Sequence, residues 1–575
     1  MTVAATRITG VAAAGGVARG RWMSIVPDPL PEPRRIAPDE VESERGRLRE
    51  AIRAVARDLL DLSAAVRESG HPDEAAIFTA QAAMARDPDL FEGAAAEMER
   101  NGVDAATAVA RAARVIAERI AALDDELLRG RAADVNDVGD RIARRLAGLP
   151  AVSGRLDAPA IVVATDLAPA VTATLPRDLV LGIALERSSP TAHAAILARA
   201  YGIPAVVGAS GLLDALRAAG TETEIALDGS SGEVVIGLDA AEAARFDTLA
   251  AREAENHDRD LREATDDAVT TDGVEITLMA NIGNPDESER AVALGARGVG
   301  LFRTEFLFLE RSSPPAEEEQ VEAYRRVFEA FPGHPVTVRL LDIGGDKPIP
   351  YLPMDREENP MLGVRALRLA ERHPELFVTQ LRACLRAATA GPIRVMAPMV
   401  ADATDVDTLH ALAGRARDEL ANEGAQVGEI ELGVMLEIPS AVLTLAAYAD
   451  RIAFASLGTN DLLQYALAVD RGNPALERYR DPLHPGLLRL VRLAAQASDP
   501  AGVSLSVCGE MAGDPVAALA LIGLGIRGLS MSASSLPAVR RAIRGASAED
   551  LARRATEACA MPSAEAARAR FESSS

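Results

Sequence analysis

Eight short apolar runs recur through the C-terminal half of the sequence, at 275–283, 298–306, 336–344, 392–400, 431–439, 451–461, 504–512 and 528–536, with helical text between most of them. Strands buried on both faces read as near-continuous apolar runs, not as strict alternation. Eight strand-and-helix units of this kind close most readily into a (β/α)8 barrel. The spacing therefore predicts a TIM-type barrel over 267–575.

The text upstream has two other textures. Residues 1–25 read as short strands broken by glycines, and 26–35 hold four prolines and read as a linker. Residues 36–149 turn to long helical periodicity rich in Ala, Arg and Glu, with Asp39 placed to cap the first helix and further helices expected around 73–86, 88–101, 104–122 and 133–147. From 150 the strands return, at 160–167, 179–185, 204–208, 223–229 and 233–237, with one helix at 192–201. This second stretch matches the opening in texture. The sequence thus predicts one α/β domain built from 1–25 and 150–237, with the helical bundle inserted into it. Residues 238–266 are so charged that a solvated linker helix is expected there.

Composition narrows the partners. Against 61 Lys and Arg stand 85 Asp and Glu, a net charge of −24, which argues against a nucleic-acid surface. Three scattered cysteines offer neither a disulfide framework nor a zinc site. The N-terminus shows no basic stretch followed by an apolar run, and nothing approaches the ~18 consecutive apolar residues of a membrane span. The expectation is a cytoplasmic protein.

In a barrel the chemistry gathers at the C-terminal ends of the strands. The second strand ends in Arg303, Thr304 and Glu305, and the third carries Arg339 and then Asp342. The fifth ends in Glu437, the sixth in Asn460 and Asp461 followed by Arg471, and the seventh in Cys508 and Glu510. Guanidinium forks match phosphate and carboxylate oxygens. Two carboxylates from neighbouring strands can hold a Mg²⁺ that keeps waters and bridges to substrate oxygens. Together they would bind a small phosphorylated acid. A cysteine at the same mouth is a candidate proton donor or nucleophile. Any one of these residues alone is more often a surface ion pair, a paired structural carboxylate or an inert thiol; their coincidence at one rim reverses that reading and points to a site.

Of seven histidines, six lie in unremarkable loop or helix text. His193 sits in the predicted first turn of a helix after Pro190 and Thr191, with Ala192, Ala194 and Ala195 leaving room around it. Free N–H groups and the positive end of the helix dipole point there, which favours a phosphate on the ring and disfavours imidazolium.

At these residues the chain resembles Enzyme I of the bacterial phosphoenolpyruvate:sugar phosphotransferase system. The likeness is carried by SSPTAHAAILARAYGIPAVVG, GVGLFRTEFLF, RLLDIGGDKPIPY with REENPMLGVRALR, GVMLEIPSAV, SLGTNDLLQYALAVDRGNP and SVCGEMAGDP, and in the helical insertion by AIFTAQAAMARDPDL and LLRGRAADVNDVGDR. The resemblance implies that phosphoenolpyruvate binds with Mg²⁺ at the barrel mouth and phosphorylates His193. The α/β domain then swivels and passes the group to a histidine of the carrier protein HPr, docked on residues 36–149. It makes Glu437 and Asp461 the Mg²⁺ ligands. Arg303, Arg339, Asn460 and Arg471 become the substrate clamp, Cys508 the acid that protonates enolpyruvate, and Thr191 a partner of His193, with Asp461 also in a supporting role. It further implies a homodimer formed through the barrel, with no nucleic acid bound and no membrane insertion.

The chain departs from that family at Ser188 and Ser189, where two glycines are usual, and at Ala192, often a serine. Gln81 stands where many relatives carry a second histidine near the carrier-docking surface. The rival readings are an ATP-using relative, pyruvate phosphate dikinase or phosphoenolpyruvate synthase, and a non-catalytic regulatory homologue. The first needs a large nucleotide-grasp domain, for which the ~150 residues before the α/β strands leave no room. The second would have no use for His193, Glu437, Asp461, Arg471 and Cys508 as a set.

Overall fold

A computed structural model describes residues 5–25, 30–68, 72–121, 132–149, 156–167, 171, 175–188, 194–195, 198–199, 202–309, 311, 313–344, 349, 351–352, 354–355, 357–391, 393–470 and 473–572. The chain divides into two compact units, Met1–Glu255 and Asn256–Ser575.

The first unit opens with four short strands, β1 (Thr6–Thr9), β2 (Val11–Ala14), β3 (Val17–Gly20) and β4 (Trp22–Ser24). Among the described residues five helices follow: α1 (Val41–Glu68), α2 (Pro72–Ala85), α3 (Pro88–Asn101), α4 (Ala105–Ala121) and α5 (Ala132–Leu146). Five strands come next: β5 (Ala160–Ala164), β6 (Val180–Leu185), β7 (Ala205–Val207), β8 (Ile225–Asp228) and β9 (Glu233–Ile236). The strands from the two ends of this stretch share sheets. One runs β1-β9-β8-β3, all antiparallel; the other runs β2-β7-β6-β5-β4, with β4 to β7 parallel. The helices α1–α5 are therefore threaded between adjacent parallel strands β4 and β5. Interior strand β5 is buried along its whole length, as its unbroken AIVVA text requires.

The bundle has its own core, with Leu48, Leu59, Phe78, Met98, Val109, Val138 and Ile142. Its first helix does not start where the sequence suggested. A 3₁₀ turn at Pro38–Glu40 precedes α1, so Asp39 lies inside a turn and does not cap the helix. The capping bond comes instead from Glu40, which accepts the Ala37 N–H at 2.8 Å. Buried Glu44 accepts the Ala105 N–H at 2.9 Å and pairs with Arg34 and Arg47, tying α1 to the start of α4. Gln81 is wholly buried and donates to Asp134 at 3.0 Å, so it belongs to the bundle interior and not to an exposed docking face.

The charged stretch forms a helix, α6 (Leu212–Ala219) being the one before it and α7 (Ala240–Arg262) the stretch itself. Its first half is solvated on one side only and packs through the other. Phe246 is fully buried against Ala226 and Val235 of the antiparallel sheet. Glu253 accepts the Val17 N–H at 2.8 Å, Arg245 pairs with Glu233 at 2.7 Å, and Arg7 pairs with Glu242. Charges that looked like a solvated face are the polar border of a packed one.

The second unit is a closed barrel of eight parallel strands in sequence order: β10 (Thr277–Ile282), β11 (Val299–Arg303), β12 (Val336–Arg339), β13 (Ile393–Ala397), β14 (Ile430–Leu436), β15 (Phe454–Leu457), β16 (Ser504–Val507) and β17 (Gly528–Met531). β17 closes onto β10. Leu301, Met396, Met435, Phe454 and Cys508 fill the interior. Among the described residues no helix is long and apolar enough to cross a membrane.

Candidate active site

The register of the barrel puts the candidate residues at one end. Arg303 and Arg339 are the last residues of adjacent strands β11 and β12 and pair directly across the ladder. Two like charges side by side at a strand end are costly unless anions meet them. Arg339 is nearly buried, and Glu305 answers it at 2.5 Å and Asp342 at 3.2 Å. Those two carboxylates, with Glu437, keep its guanidinium charged despite burial. Its Nε has no hydrogen-bond partner, and among the described residues the Arg303 guanidinium makes neither hydrogen bond nor ion pair. Both arginines keep donors in hand.

Beyond β12 the chain reaches Gly344, whose φ of +102° suits glycine. A Cβ there would lie 2.7 Å from the Val364 carbonyl oxygen and 2.9 Å from the Arg365 Cα. That close approach brings Arg365 back to the mouth. Its guanidinium grips Asp342 and lies 3.6 Å from Asp461. Sequence reasoning passed over Arg365, because it sits in a long excursion and not at a strand end; the REENPMLGVRALR text was the available signal.

Glu437, one residue past β14, is 2% exposed and accepts the Met399 N–H at 2.6 Å. Met399 holds a φ of +57°, unusual for a side chain of its size, at the end of the neighbouring strand. Burial pushes the Glu437 carboxyl up, and the facing Asp461 and Asp342 push it the same way. Asp461 stands in the first turn of the helix Thr459–Leu467 and is itself largely buried. Among the seven side chains Glu305, Asp342, Glu437, Asp461, Arg303, Arg339 and Arg365, carboxylates outnumber guanidiniums by one. Crowded hard oxygens with excess negative charge fit a divalent cation of the Mg²⁺ type, which one or two carboxylates hold while waters and substrate complete the shell. Among the described residues no group of three or more His, Cys, Asp or Glu is placed to hold a metal ion by itself.

Cys508 follows β16 directly. It is 2% exposed, and its thiol faces the Leu457 carbonyl at 3.7 Å. Burial pushes the thiol up to about 11, against the pull of Ser456 and Arg339. It is therefore protonated at neutral pH, as an acid must be. Its backbone carbonyl is held by Asn281 at 2.9 Å, and Asn281 by Ser530 at 2.6 Å, an anchor that sequence reading missed. Gly509 lets the chain pass Thr459, where a Cβ would lie 2.0 Å from Oγ1. Asn460 accepts the Glu510 N–H at 2.9 Å, and this joins the ends of β15 and β16. Glu510 is exposed.

Six of the expected residues thus converge at one mouth: Arg303, Arg339, Glu437, Asn460, Asp461 and Cys508. His193, Thr191, Arg471, Ala192 and Ser189 lie outside the described residues. A cavity of about 710 Å³ opens at the opposite end of the barrel, among Thr277, Arg297, Arg394 and Arg527. Strand N-termini line it, so we place the chemistry at the other end.

Comparison with known proteins finds three family models along the chain. The family model for the PEP-binding domain of PEP-utilising enzymes matches residues 257–548, that for their mobile domain 156–232, and that for their N-terminal region 9–131. The phosphoenolpyruvate-protein phosphotransferase of Streptomyces coelicolor is 43% identical over 570 residues, covering 98% of this chain and 98% of that protein. That of Staphylococcus epidermidis is 37% identical over 554 residues, covering 96% of each. The multiphosphoryl transfer protein of Rhodobacter capsulatus is 41% identical over 509 residues, 88% of this chain and 60% of that protein.

Proposed function

The chain belongs to the phosphoenolpyruvate-protein phosphotransferase family, and on that premise we propose how its residues divide the work. It is a transferase, an Enzyme I that takes the phosphoryl group of phosphoenolpyruvate into the sugar phosphotransferase relay. Arg303, Arg339, Asn460 and Arg471 clamp the substrate at the barrel mouth. His193 attacks phosphorus: the bond from phosphorus to the enol oxygen breaks as a bond to the imidazole nitrogen forms. The departing enolate takes a proton at its methylene carbon from the Cys508 thiol, giving pyruvate, and the thiolate regains a proton from solvent. Phosphoryl transfer is governed by positioning and charge neutralisation, which the arginines provide.

Glu437 and Asp461 hold Mg²⁺ in this reading. When bound, the ion neutralises charge on the phosphate and carboxylate oxygens of the substrate. The supporting observation is the surplus of negative charge around Glu437. Thr191 serves as a partner of His193.

The observation that carries the proposal is the pairing of Arg303 with Arg339 beside a thiol kept protonated. The second half of the reaction hands the phosphoryl group to a histidine of HPr docked on residues 36–149. Histidine and pocket then belong to different domains, 1–25 with 150–237 and 267–575, so a rigid-body motion separates the two steps. Family resemblance supports a homodimer through the barrel and a cytoplasmic setting.

Labelled phosphoenolpyruvate with Mg²⁺ should place acid-labile, base-stable label on the chain, and added HPr should remove it. His193→Ala should abolish uptake; continued labelling of that variant would refute the assignment.

A further inference from the structure

Behind the ends of β11 and β12 runs a chain of buried polar groups that the reaction above leaves unused. The Pro315 carbonyl accepts from Gln320 Nε2 at 3.3 Å, and Gln320 Oε1 accepts from the Tyr324 hydroxyl at 3.1 Å. Gln380 Nε2 lies 3.2 Å from that hydroxyl, 2.9 Å from Thr304 Oγ1 and 3.4 Å from the Arg339 carbonyl. Thr304 donates its hydroxyl to the Arg339 carbonyl at 2.7 Å. Gln380 Oε1 accepts the Leu341 N–H at 2.8 Å. Thr304, Gln320, Tyr324 and Gln380 are all at most 1% exposed.

Apolar side chains would fill this space without the cost of burying polar atoms. What the polar chain adds is direction. Thr304 has one proton and gives it to Arg339, so it must accept from Gln380 Nε2. Gln380 Oε1 is then left for Leu341, and the amide can sit only one way round. β12 leaves the ladder after Arg339. At that point Gln380 takes over as backbone partner, gripping the chain on both sides of Leu340. Thr304 is the first residue past β11, between Arg303 and Glu305. One hydroxyl and one amide thus lock together the two strand ends that carry Arg303, Glu305, Arg339 and Asp342.

We propose that Thr304 and Gln380 are positioning residues that set the spacing and aim of the Arg303 and Arg339 guanidiniums at the substrate phosphate. This rests on the reading that those two arginines clamp phosphoenolpyruvate. Neither Thr304 nor Gln380 touches substrate.

The experiment uses the full chain and follows KM and kcat for phosphoenolpyruvate, transfer from preformed phosphoenzyme to HPr, and thermal unfolding. Thr304→Val, which keeps shape and loses the hydroxyl, should raise KM about tenfold, since a misaimed clamp loses on the order of one hydrogen bond to a charged group. Thr304→Ser should restore KM to within about twofold of wild type. Transfer to HPr should be unchanged in both. Should Thr304→Val fail to fold, Tyr324→Phe removes one anchor of the Gln380 amide with little change of shape, and should raise KM in the same sense. A lowered melting temperature with unchanged KM, or equal KM for Thr304→Val and Thr304→Ser, overturns the proposal. Arg339→Lys is measured alongside. If it leaves KM unchanged, the substrate-clamp reading itself fails; if it raises KM while Thr304→Val does not, only the positioning role fails.

Discussion

Arg365 Nη2 lies 2.9 Å from one carboxylate oxygen of Asp342 and 3.0 Å from the other, and both side chains are at most 2% exposed. This guanidinium reaches the mouth from outside the strand ends and meets both Asp342, a partner of Arg339, and Asp461, one of the carboxylates proposed to hold metal. Removing one partner of such a pair leaves an unpaired buried charge, costing ~3–5 kcal/mol. Arg365→Met should therefore lower the unfolding free energy by that order and cut kcat/KM for phosphoenolpyruvate at least a hundredfold. Arg365→Lys keeps charge but not the fork, and should recover most of the stability and little of the activity. Denaturation and steady-state kinetics on the same preparations separate the two effects.

The thiol of Cys508 gives a prediction in pH. Burial holds it up near 11, above the ~8.5 of a free cysteine. Folded protein therefore binds the proton more tightly than unfolded protein does. The stability this contributes is complete below about 8.5 and is lost as pH rises toward 11. Alkylation of Cys508, followed by peptide-resolved mass spectrometry, should be slow at pH 8 and rise with a midpoint near 11. A midpoint near that of free cysteine would rule out a thiol poised as acid. Cys508→Ala should slow pyruvate release and leave the phosphorylated site unchanged.

Much of this was legible in the sequence, and the exceptions share a cause. The barrel could be read because burial on both faces forces unbroken apolar runs, and strand-end chemistry follows from the fold. Arg365 could not, because its place depends on Gly344 and a returning loop. Nor could Gln380, a helix residue with no distinguishing neighbour, whose role appears only when Thr304 and Leu341 come within reach. The start of α7 misled for another reason: Arg and Glu that border a packed face look the same in sequence as those in water, and Phe246 was the one clue.

Glu437→Gln should separate stability from activity. Its carboxylate is buried facing Asp461 and Asp342, so neutralising it relieves repulsion in the metal-free protein. The variant should melt at a higher temperature than wild type in a chelator, and should need at least tenfold more Mg²⁺ for half-maximal labelling. Chelation of wild type should stop labelling by phosphoenolpyruvate yet spare transfer from preformed phosphohistidine to HPr. Equal inhibition of both steps would place the metal elsewhere.

Phe246 tests whether α7 is a connector or part of a core. The ring is fully buried against Ala226 and Val235, with the Arg245 guanidinium 4.3 Å from its centre. Truncating a buried phenylalanine to alanine costs ~3–5 kcal/mol, whereas the same change on a solvated helix costs a few tenths. The single tryptophan, Trp22, belongs to β4 in the first unit, so its fluorescence reports unfolding there and not in the barrel. With a denaturant dependence of ~1–3 kcal/mol per molar urea, Phe246→Ala should move the Trp22 transition down by more than about 1 M. Activity without denaturant should persist, because among the described residues no proposed site residue packs against Phe246. An unmoved Trp22 transition would return α7 to the role of a solvated linker.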